Sequence, residues 1–451
     1  MDIIVIGSGT VGAAVCMQLS HEGHDVTVID RDGDAVAEIS NVCDVAGIVG
    51  NGADVSVLRR AGAEKADLLI AIAAEDEINI LCCTAARKLG TRHTIARVRN
   101  PAYAELMQLM GADMNLSMTI NPELAAAQEI YRILRFPTAA KIETFCRGRM
   151  ELAEFTVAAG SPLCGVTLND LRARLNITFL VCCVLRDGTP YIPSGDFTIQ
   201  PGDIVCVTAP ENAIARFFKA LDMYRQPVRD VLIVGGGRTT YYLEEMLEKG
   251  KIRSTVIEKN RALCRAIAER FDCTVVCDSG TSQELLLEEG IERADAFLAL
   301  TDVDEENAII SMYARTRHVN KVVTMISTMS YVELFKDVGL ESIVSPKASA
   351  ATQILRYARA MVASRDSEIE SLHRLMDGRV EALEFVVKGE IPDLTGIPLK
   401  SLHPRHGVLI ACILQGENVI IPTGDDCIRP GDTVVVLTTG GQMNSIKDII
   451  G

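Results

Sequence analysis

Short apolar runs rich in Val and Ile recur along the chain and give its first organisation. They are "DIIVIG" from Asp2, "DVTVID" from Asp25, "AGIVG" from Ala46, "DLLIAIA" from Asp67 and "HTIARV" from His93. Nearly continuous apolar runs of this length, rather than alternating ones, are what strands covered on both faces require. Between them, "TVGAAVCMQLSHEG" and "EINILCCTAARKLG" space their apolar residues as helices do. The order predicts β-α-β units and a parallel sheet. Further on, around "AEFTVAAGSPLCGVTLNDLRARLNITFLVCCVLRDGTPYIPSGDFTIQPGDIVCVTA", the strands shorten and the turn chemistry of "RDGTP" and "PSGD" becomes frequent. Only "TLNDLRARL" reads as helix there, so this part is a small β-rich module.

The whole pattern then occurs again. Gly7 and Gly235 are 228 positions apart, and the same offset carries Gly9 to Gly237, Asp30 to Glu258, Gly52 to Gly280, Asp76 to Asp304, Asn79 to Asn307 and Tyr103 to Tyr331. "PSGDFTIQPGD" from Pro193 returns as "PTGDDCIRPGD" from Pro422. The chain is an internal duplication. The fold class expected is α/β: two Rossmann-like, doubly wound parallel-sheet domains at 1–135 and 229–360, each followed by a small β-rich α+β domain, at 136–225 and 366–451. "RQPVRD" from Arg225 is the expected linker between copies, because its proline interrupts the preceding helix.

Within each copy a helix joins the two parts, "NPELAAAQEIYRILRFPTA" in the first and "SPKASAATQILRYARAMVAS" in the second. In each, Asn or Ser precedes a proline at the first helical position. Leu124, Ala127, Ile130, Tyr131 and Leu134 then form an apolar stripe. That stripe fits either a helix crossing to another domain or subunit, or one packed on its own domain.

Composition narrows the function. Apolar residues make up 48% of the 451-residue chain but aromatics only 4%, with no Trp, so the cores are aliphatic. The net charge of −15 argues against a general nucleic-acid binder or a protein held on anionic lipid. No apolar run approaches the ~18 to 20 residues of a membrane span, so any link to a membrane goes through a partner. The 14 cysteines lie mostly inside apolar runs such as "LCCTA" and "FLVCCVL", and no C-x-x-C occurs. They read as small hydrophobes in a reducing compartment.

The candidate chemistry starts at "GSGTVG", which follows a strand and opens a helix, with Asp30 closing the next strand. Gly7 permits the tight turn, Gly9 lets backbone approach a pyrophosphate, and Gly12 lets helix and strand pack closely. Free N–H groups at the helix N-terminus would meet the phosphates. Asp30 would accept from the adenosine ribose and repel a 2′-phosphate, favouring NAD(H) over NADP(H), a preference that Arg31 softens. Asn51, Gly52, Ala73 and Ala74 follow the third and fourth strands, at the sheet edge where such folds bind ligands. Arg97 in the fifth strand fits either a phosphate or an ion pair with Glu75 or Asp76. In the second copy Thr240 replaces the third glycine, Glu258 replaces Asp30, and Met325 stands where Arg97 stood, while Arg238 enters the loop. Weaker or different nucleotide selectivity is expected there.

Catalytic machinery is not evident. The first β-rich module has no His, and His403 and His406 in "LHPRHGV" read as a solvated pair. Neither G-x-S-x-G nor H-E-x-x-H occurs. "DVDEEN" from Asp302 lacks the glycine and terminal Glu of a calcium loop and reads as a capping or solvated run, so no metal site is expected. Two cradles without a reacting group suit a sensor, although a cytosolic NAD-dependent oxidoreductase remains the alternative.

The segments "MDIIVIGSGTVGAAVCMQLSHEGHDVTVIDRD", "GNGAD", "AEDEIN", "ARVRNPAY" and the repeated "PSGD…QPGD" module together resemble the tandem RCK (regulator of potassium conductance) family of Trk potassium-uptake systems, over essentially the whole chain. The resemblance implies a non-enzymatic regulatory subunit, cytoplasmic and peripheral on the cell membrane. It implies binding of NAD(H), and in related members ADP or ATP, and gating of a potassium-translocating membrane subunit of TrkH or TrkG type. A ring of RCK units follows, here a tetramer of two-unit chains. The family's nucleotide positions fall on Gly7, Ser8, Gly9, Thr10, Val11, Asp30, Asn51, Gly52, Ala73, Ala74 and Arg97. In the second copy they fall on Gly235, Gly236, Gly237, Arg238, Thr239, Glu258, Ser279 and Gly280.

Overall fold

The computed structural model of the chain describes residues 1–103, 116–135, 141–146, 149–175, 177–210, 213–221, 223, 228–340, 342–366, 369–376, 379–440, 443 and 445–450. Residues 225–227 of the expected linker, and the boundaries expected at 136 and 225, lie outside them. Two compact units form, and each takes one part from each copy: Met1–Leu134 with Val228–Ala358, and Arg135–Pro227 with Arg359–Gly451.

The first unit holds two parallel sheets. In the first copy β1 (Asp2–Ile6), β2 (Asp25–Asp30), β3 (Ala46–Val49), β4 (Leu68–Ala71), β5 (His93–Arg97) and β6 (Met118–Ile120) lie in the order β3-β2-β1-β4-β5-β6. The chain reverses its direction of winding between β1 and β4, and this is the crevice where doubly wound sheets take ligands. Sheet interiors are apolar on both faces, as the runs predict: Ile3 to Ile6 and Leu68 to Ala71 are all buried. Strand β6 has only three residues and no apolar run of its own. Pairing with Ile95–Arg97 makes it a strand.

Between β6 and the second copy lie the β-rich strands β7 (Lys141–Phe145), β8 (Met150–Thr156), β9 (Leu180–Arg186), β10 (Thr189–Tyr191) and β11 (Ile204–Pro210). The second parallel sheet repeats the first, with β12 (Asp230–Val234), β13 (Arg253–Ile257), β14 (Thr274–Val276), β15 (Ala296–Ala299), β16 (Lys321–Met325) and β17 (Ser342–Val344) in the order β14-β13-β12-β15-β16-β17.

The two halves of this unit exchange their joining helices. Helix Pro122–Arg135 of the first copy buries Ala126, Ala127, Ile130, Ile133 and Leu134 in the core of the second sheet, against Val231, Ile233, Tyr242, Leu243 and Leu247. Its apolar stripe therefore crosses to another domain, one of the two arrangements that the sequence left open. Polar contacts fix the register: Asn121 Nδ2 donates to Tyr242 Oη (2.7 Å), which donates to the Arg99 carbonyl (3.0 Å). In return, helix Pro346–Asp366 of the second copy brings Tyr357 Oη to 3.1 Å from His93 Nδ1, at the start of β5.

The second unit holds two antiparallel sheets, β10-β9-β11-β8-β7 and, from β18 (Ile369–Leu375), β19 (Val380–Val386), β20 (Val408–Gln415), β21 (Asn418–Ile420) and β22 (Thr433–Thr438), β18-β19-β22-β20-β21. Cys146, Cys182, Cys183 and Cys206 share one core with Met376 and Cys412 of the other copy. All 14 cysteines are free thiols and most are buried, the role as small hydrophobes that their apolar neighbourhoods predict. The two "PGD" turns end in Asp203 and Asp432, each buried and accepting a backbone N–H three residues back, from Gln200 and Arg429 (both 2.8 Å). Arg186 pairs with Asp203 at 2.7 Å, and Gln415 takes the same place beside Asp432 at 3.0 Å. His403 and His406 are both exposed.

Candidate functional site

A cavity of about 410 Å³ opens at the carboxyl edge of the first sheet. Gly7, Gly9, Thr10, Val11, Gly12, Asp30, Asn51, Gly52, Ala73, Ala74 and Arg97 line it, so one space gathers the first-copy candidates apart from Ser8. Its size is within the range of small-molecule sites.

The glycines act through measurable sterics. Gly7 has φ +104°, left-handed backbone that suits glycine. A Cβ on Gly12 would lie 1.9 Å from the Gly7 carbonyl oxygen, so only glycine allows this loop to close on its helix. Gly9 is different: a Cβ there would meet nothing within 4 Å, and what the missing side chain leaves is open space facing the cavity. Gly9 is also the N-cap of helix Thr10–His21, and no side chain caps that end. A helix start without a side-chain cap leaves N–H groups and positive dipole for an anion.

Asp30 fixes the other side. Its Oδ2 accepts from Ser8 N and Ser8 Oγ, both at 2.6 Å, and its Oδ1 accepts from Asp32 N at 3.1 Å. Burial alone would raise its pKa, but these donors outweigh burial and hold the carboxyl below its usual range. Ser8 therefore supports Asp30 and is not itself part of the lining. Arg31 Nη2 donates to Asn51 Oδ1 at 3.3 Å, which joins two lining residues.

Arg97 lines the cavity but, among the described residues, forms no ion pair with Glu75 or Asp76. Its Nη2 donates to the Ala73 carbonyl at 2.6 Å, while Nε is buried without a partner. Burial lowers its pKa, and the charge of Arg99 adds to the effect. The acid that it was expected to pair with, Asp76, holds Arg99 at 3.6 Å and accepts from the backbone of Arg99 and Asn100, both at 2.8 Å. Asn79, fully buried, clamps Ala73 N (2.7 Å), Ala73 O and Arg97 O (both 3.0 Å). Asp304 and Asn307 repeat both clamps in the second copy, on Ser327 and Thr328 and on Thr301 and Met325. "DVDEEN" thus opens a helix, but no side chain caps that end and Asp304 is buried, unlike the capping or solvated run expected.

The second cradle keeps the frame. Gly235 has φ +106°, a Cβ on Gly237 would meet nothing within 4 Å, and Glu258 accepts from Gly236 N and Asn260 N, both at 2.6 Å. Gly280 meets Val234 as Gly52 meets Ile6, while Ser279 sits exposed on Thr281 (2.9 Å). Thr240 fills the Gly12 position by hydrogen bonding to the Gly235 carbonyl at 2.5 Å. Thr239 is buried and turned toward the Met325 sulfur at 3.8 Å. Arg238 opens helix Arg238–Lys249, and its charge reaches Arg97 and Glu123 of the first copy.

Among the lining residues that the sequence did not single out, one is charged. Lys347 of the second copy borders the first cavity. The signal was present in the aligned joining helices, where "NPE" in one copy stands opposite "SPK" in the other.

Comparison with known proteins follows this geometry. The TrkA-N domain family matches residues 3–118 and 231–346, and the TrkA-C domain family matches residues 152–222 and 384–451. The Trk system potassium uptake protein TrkA of Halomonas elongata is 33% identical over 100% of this chain and 98% of its own length. The TrkA homolog of Archaeoglobus fulgidus is 31% identical over the full length of both. Among solved structures, the GsuK channel bound to NAD superposes with a TM-score of 0.63 at 18% identity, covering 97% of this chain and 76% of that one, a likeness of fold. No helix of the described residues is long and apolar enough to cross a membrane. Matching domains in both copies and full-length relatives agree with the duplicated RCK architecture: the chain belongs to the TrkA family of Trk system potassium uptake proteins.

Proposed function

We propose that this chain is the cytoplasmic, nucleotide-responsive regulatory subunit of a potassium uptake system. It binds NAD(H), with ADP and ATP as related ligands, in the first cradle and gates a membrane potassium-translocating subunit of TrkH or TrkG type. It works as a homo-oligomer, a tetramer of two-unit chains peripheral to the membrane. The observation that carries this reading is the cavity at the first glycine loop. Open space at Gly9, an N-terminus without a side-chain cap and an ionised Asp30 fit a pyrophosphate and a ribose diol. When bound, the nucleotide supplies binding free energy, which shifts a two-state assembly to the extent that its two states bind it unequally. The cavity lining holds Lys347 and Glu75 but no His, Tyr or Cys, so an NAD-dependent oxidoreductase would have to use one of those two for proton transfer at the nicotinamide. TrkA relatives, named for potassium uptake, and a channel of the same fold solved with NAD further support the regulatory reading.

The test is co-purification from native membranes with a potassium-translocating subunit, followed by ion flux in vesicles against NAD, NADH, ADP and ATP. Flux that changes with nucleotide in the complex is the expected result. Failure to co-purify, together with NADH oxidation by the isolated chain, would give the oxidoreductase.

A further inference from the structure

Every residue lining the first cavity belongs to the first copy except Lys347. The exchanged helix Pro346–Asp366 carries it there, one residue after the proline that opens the helix. A cation in the first turn opposes the helix dipole, whose N-terminal end is positive. The matching helix Pro122–Arg135 has the acid that this position favours, Glu123. Helix stability therefore does not account for Lys347. Nor does an ion pair: among the described residues no carboxylate is paired with it, and it is only partly exposed.

The surrounding charges leave it a task. Asp30 is engaged by Ser8 and Asp32, and Arg97 commits one nitrogen to Ala73. Arg97, the bare helix start at Gly9 and Lys347 then border one space, which suits a doubly charged pyrophosphate. The second copy reverses this. Met325 replaces Arg97, and the matching cross-copy residue is Glu123, half-buried with one carboxylate oxygen unpartnered and within reach of the charges of Arg99, Arg238 and Arg97.

We infer that Lys347 is a phosphate-binding residue of the first nucleotide site, so that this site is complete only when the second copy is docked on it. The inference rests on the nucleotide reading of that site. A diphosphate-containing ligand bridges the two copies through Lys347, whereas a nucleoside does not reach it.

The test is calorimetric titration of the full chain and its Lys347→Ala, Lys347→Arg and Lys347→Glu variants with ADP, NADH and adenosine, at two salt concentrations. One charge-assisted hydrogen bond predicts that Lys347→Ala weakens ADP and NADH about tenfold, with a shallower salt dependence. Adenosine binding stays within about twofold of wild type, Lys347→Arg restores ADP, and Lys347→Glu weakens it further. A merely structural role would lower adenosine and ADP together. An unchanged ratio of ADP to adenosine affinity in Lys347→Ala overturns the assignment of Lys347 alone. Failure of the wild-type chain to bind any of the three overturns the nucleotide reading and this inference with it.

Discussion

The two cradles share a backbone and differ in charge. Asp76 and Asn79 hold the strand-end loops of the first with the same hydrogen bonds that Asp304 and Asn307 make in the second, and both loops open with a left-handed glycine. The residues that would face an anion do not match. Arg97 and Lys347 line the first, the corresponding positions of the second copy and of the exchanged helix are Met325 and Glu123, and Thr240 fills the Gly12 position. A duplicated fold can therefore keep its scaffold while its two sites take up different work.

The largest effect expected comes from forcing the first loop to resemble the second. Gly12→Thr places a Cβ 1.9 Å from the Gly7 carbonyl, where the second copy has a loop already spaced for Thr240. A loss of about 3 kcal/mol or more is expected by chemical denaturation, with nucleotide binding abolished. A loss under about 1 kcal/mol would mean that the first loop relaxes as freely as its twin.

Next comes pH. Position 16 of the first copy is Cys16, whose thiol burial pushes up to about 12, and its counterpart is Glu244, whose carboxyl burial pushes up to about 7. Glu244 is 2% exposed, hydrogen-bonded to Ser254 Oγ at 2.7 Å, with its other oxygen unpartnered. Its folded pKa lies above the unfolded value of 4.5, so the folded chain keeps a proton that the unfolded chain loses. Stability then falls as pH rises from about 4.5 to 7, by about 3 kcal/mol in total. Glu244→Gln should be as stable as wild type at pH 4.5 and more stable at pH 8. Equal pH profiles for the two proteins would contradict the buried, protonated carboxyl.

The smallest effect belongs to the surface of the same helix. Lys249 and Glu245 pair at 3.0 Å but are 74% and 44% exposed, so Lys249→Ala should change stability by no more than about 0.5 kcal/mol.

These comparisons also mark how far the sequence could be read. The five first-copy strand runs, the glycine loop and Asp30 were legible because periodicity and local steric rules determine them. Strand β6 was not, since its three residues become a strand only through pairing with β5. The apolar stripe on Pro122–Arg135 was clear while its destination was not, because a stripe specifies burial and leaves the partner open. Arg97 was placed correctly at the cavity, but its bond to the Ala73 carbonyl depends on a loop shape set by Asn79. Lys347 was missed for the same reason as the helix exchange that delivers it, a long-range contact with no local signature.

The claim that the first cradle is the nucleotide site and the second is not its equal is tested most directly by NADH titration of the full chain carrying Asp30→Ala or Glu258→Ala. The account predicts that Asp30→Ala weakens the tightest binding at least tenfold, as loss of a charged acceptor to a ribose should, while Glu258→Ala leaves it within about threefold. Tight binding that survives Asp30→Ala and disappears with Glu258→Ala would contradict it.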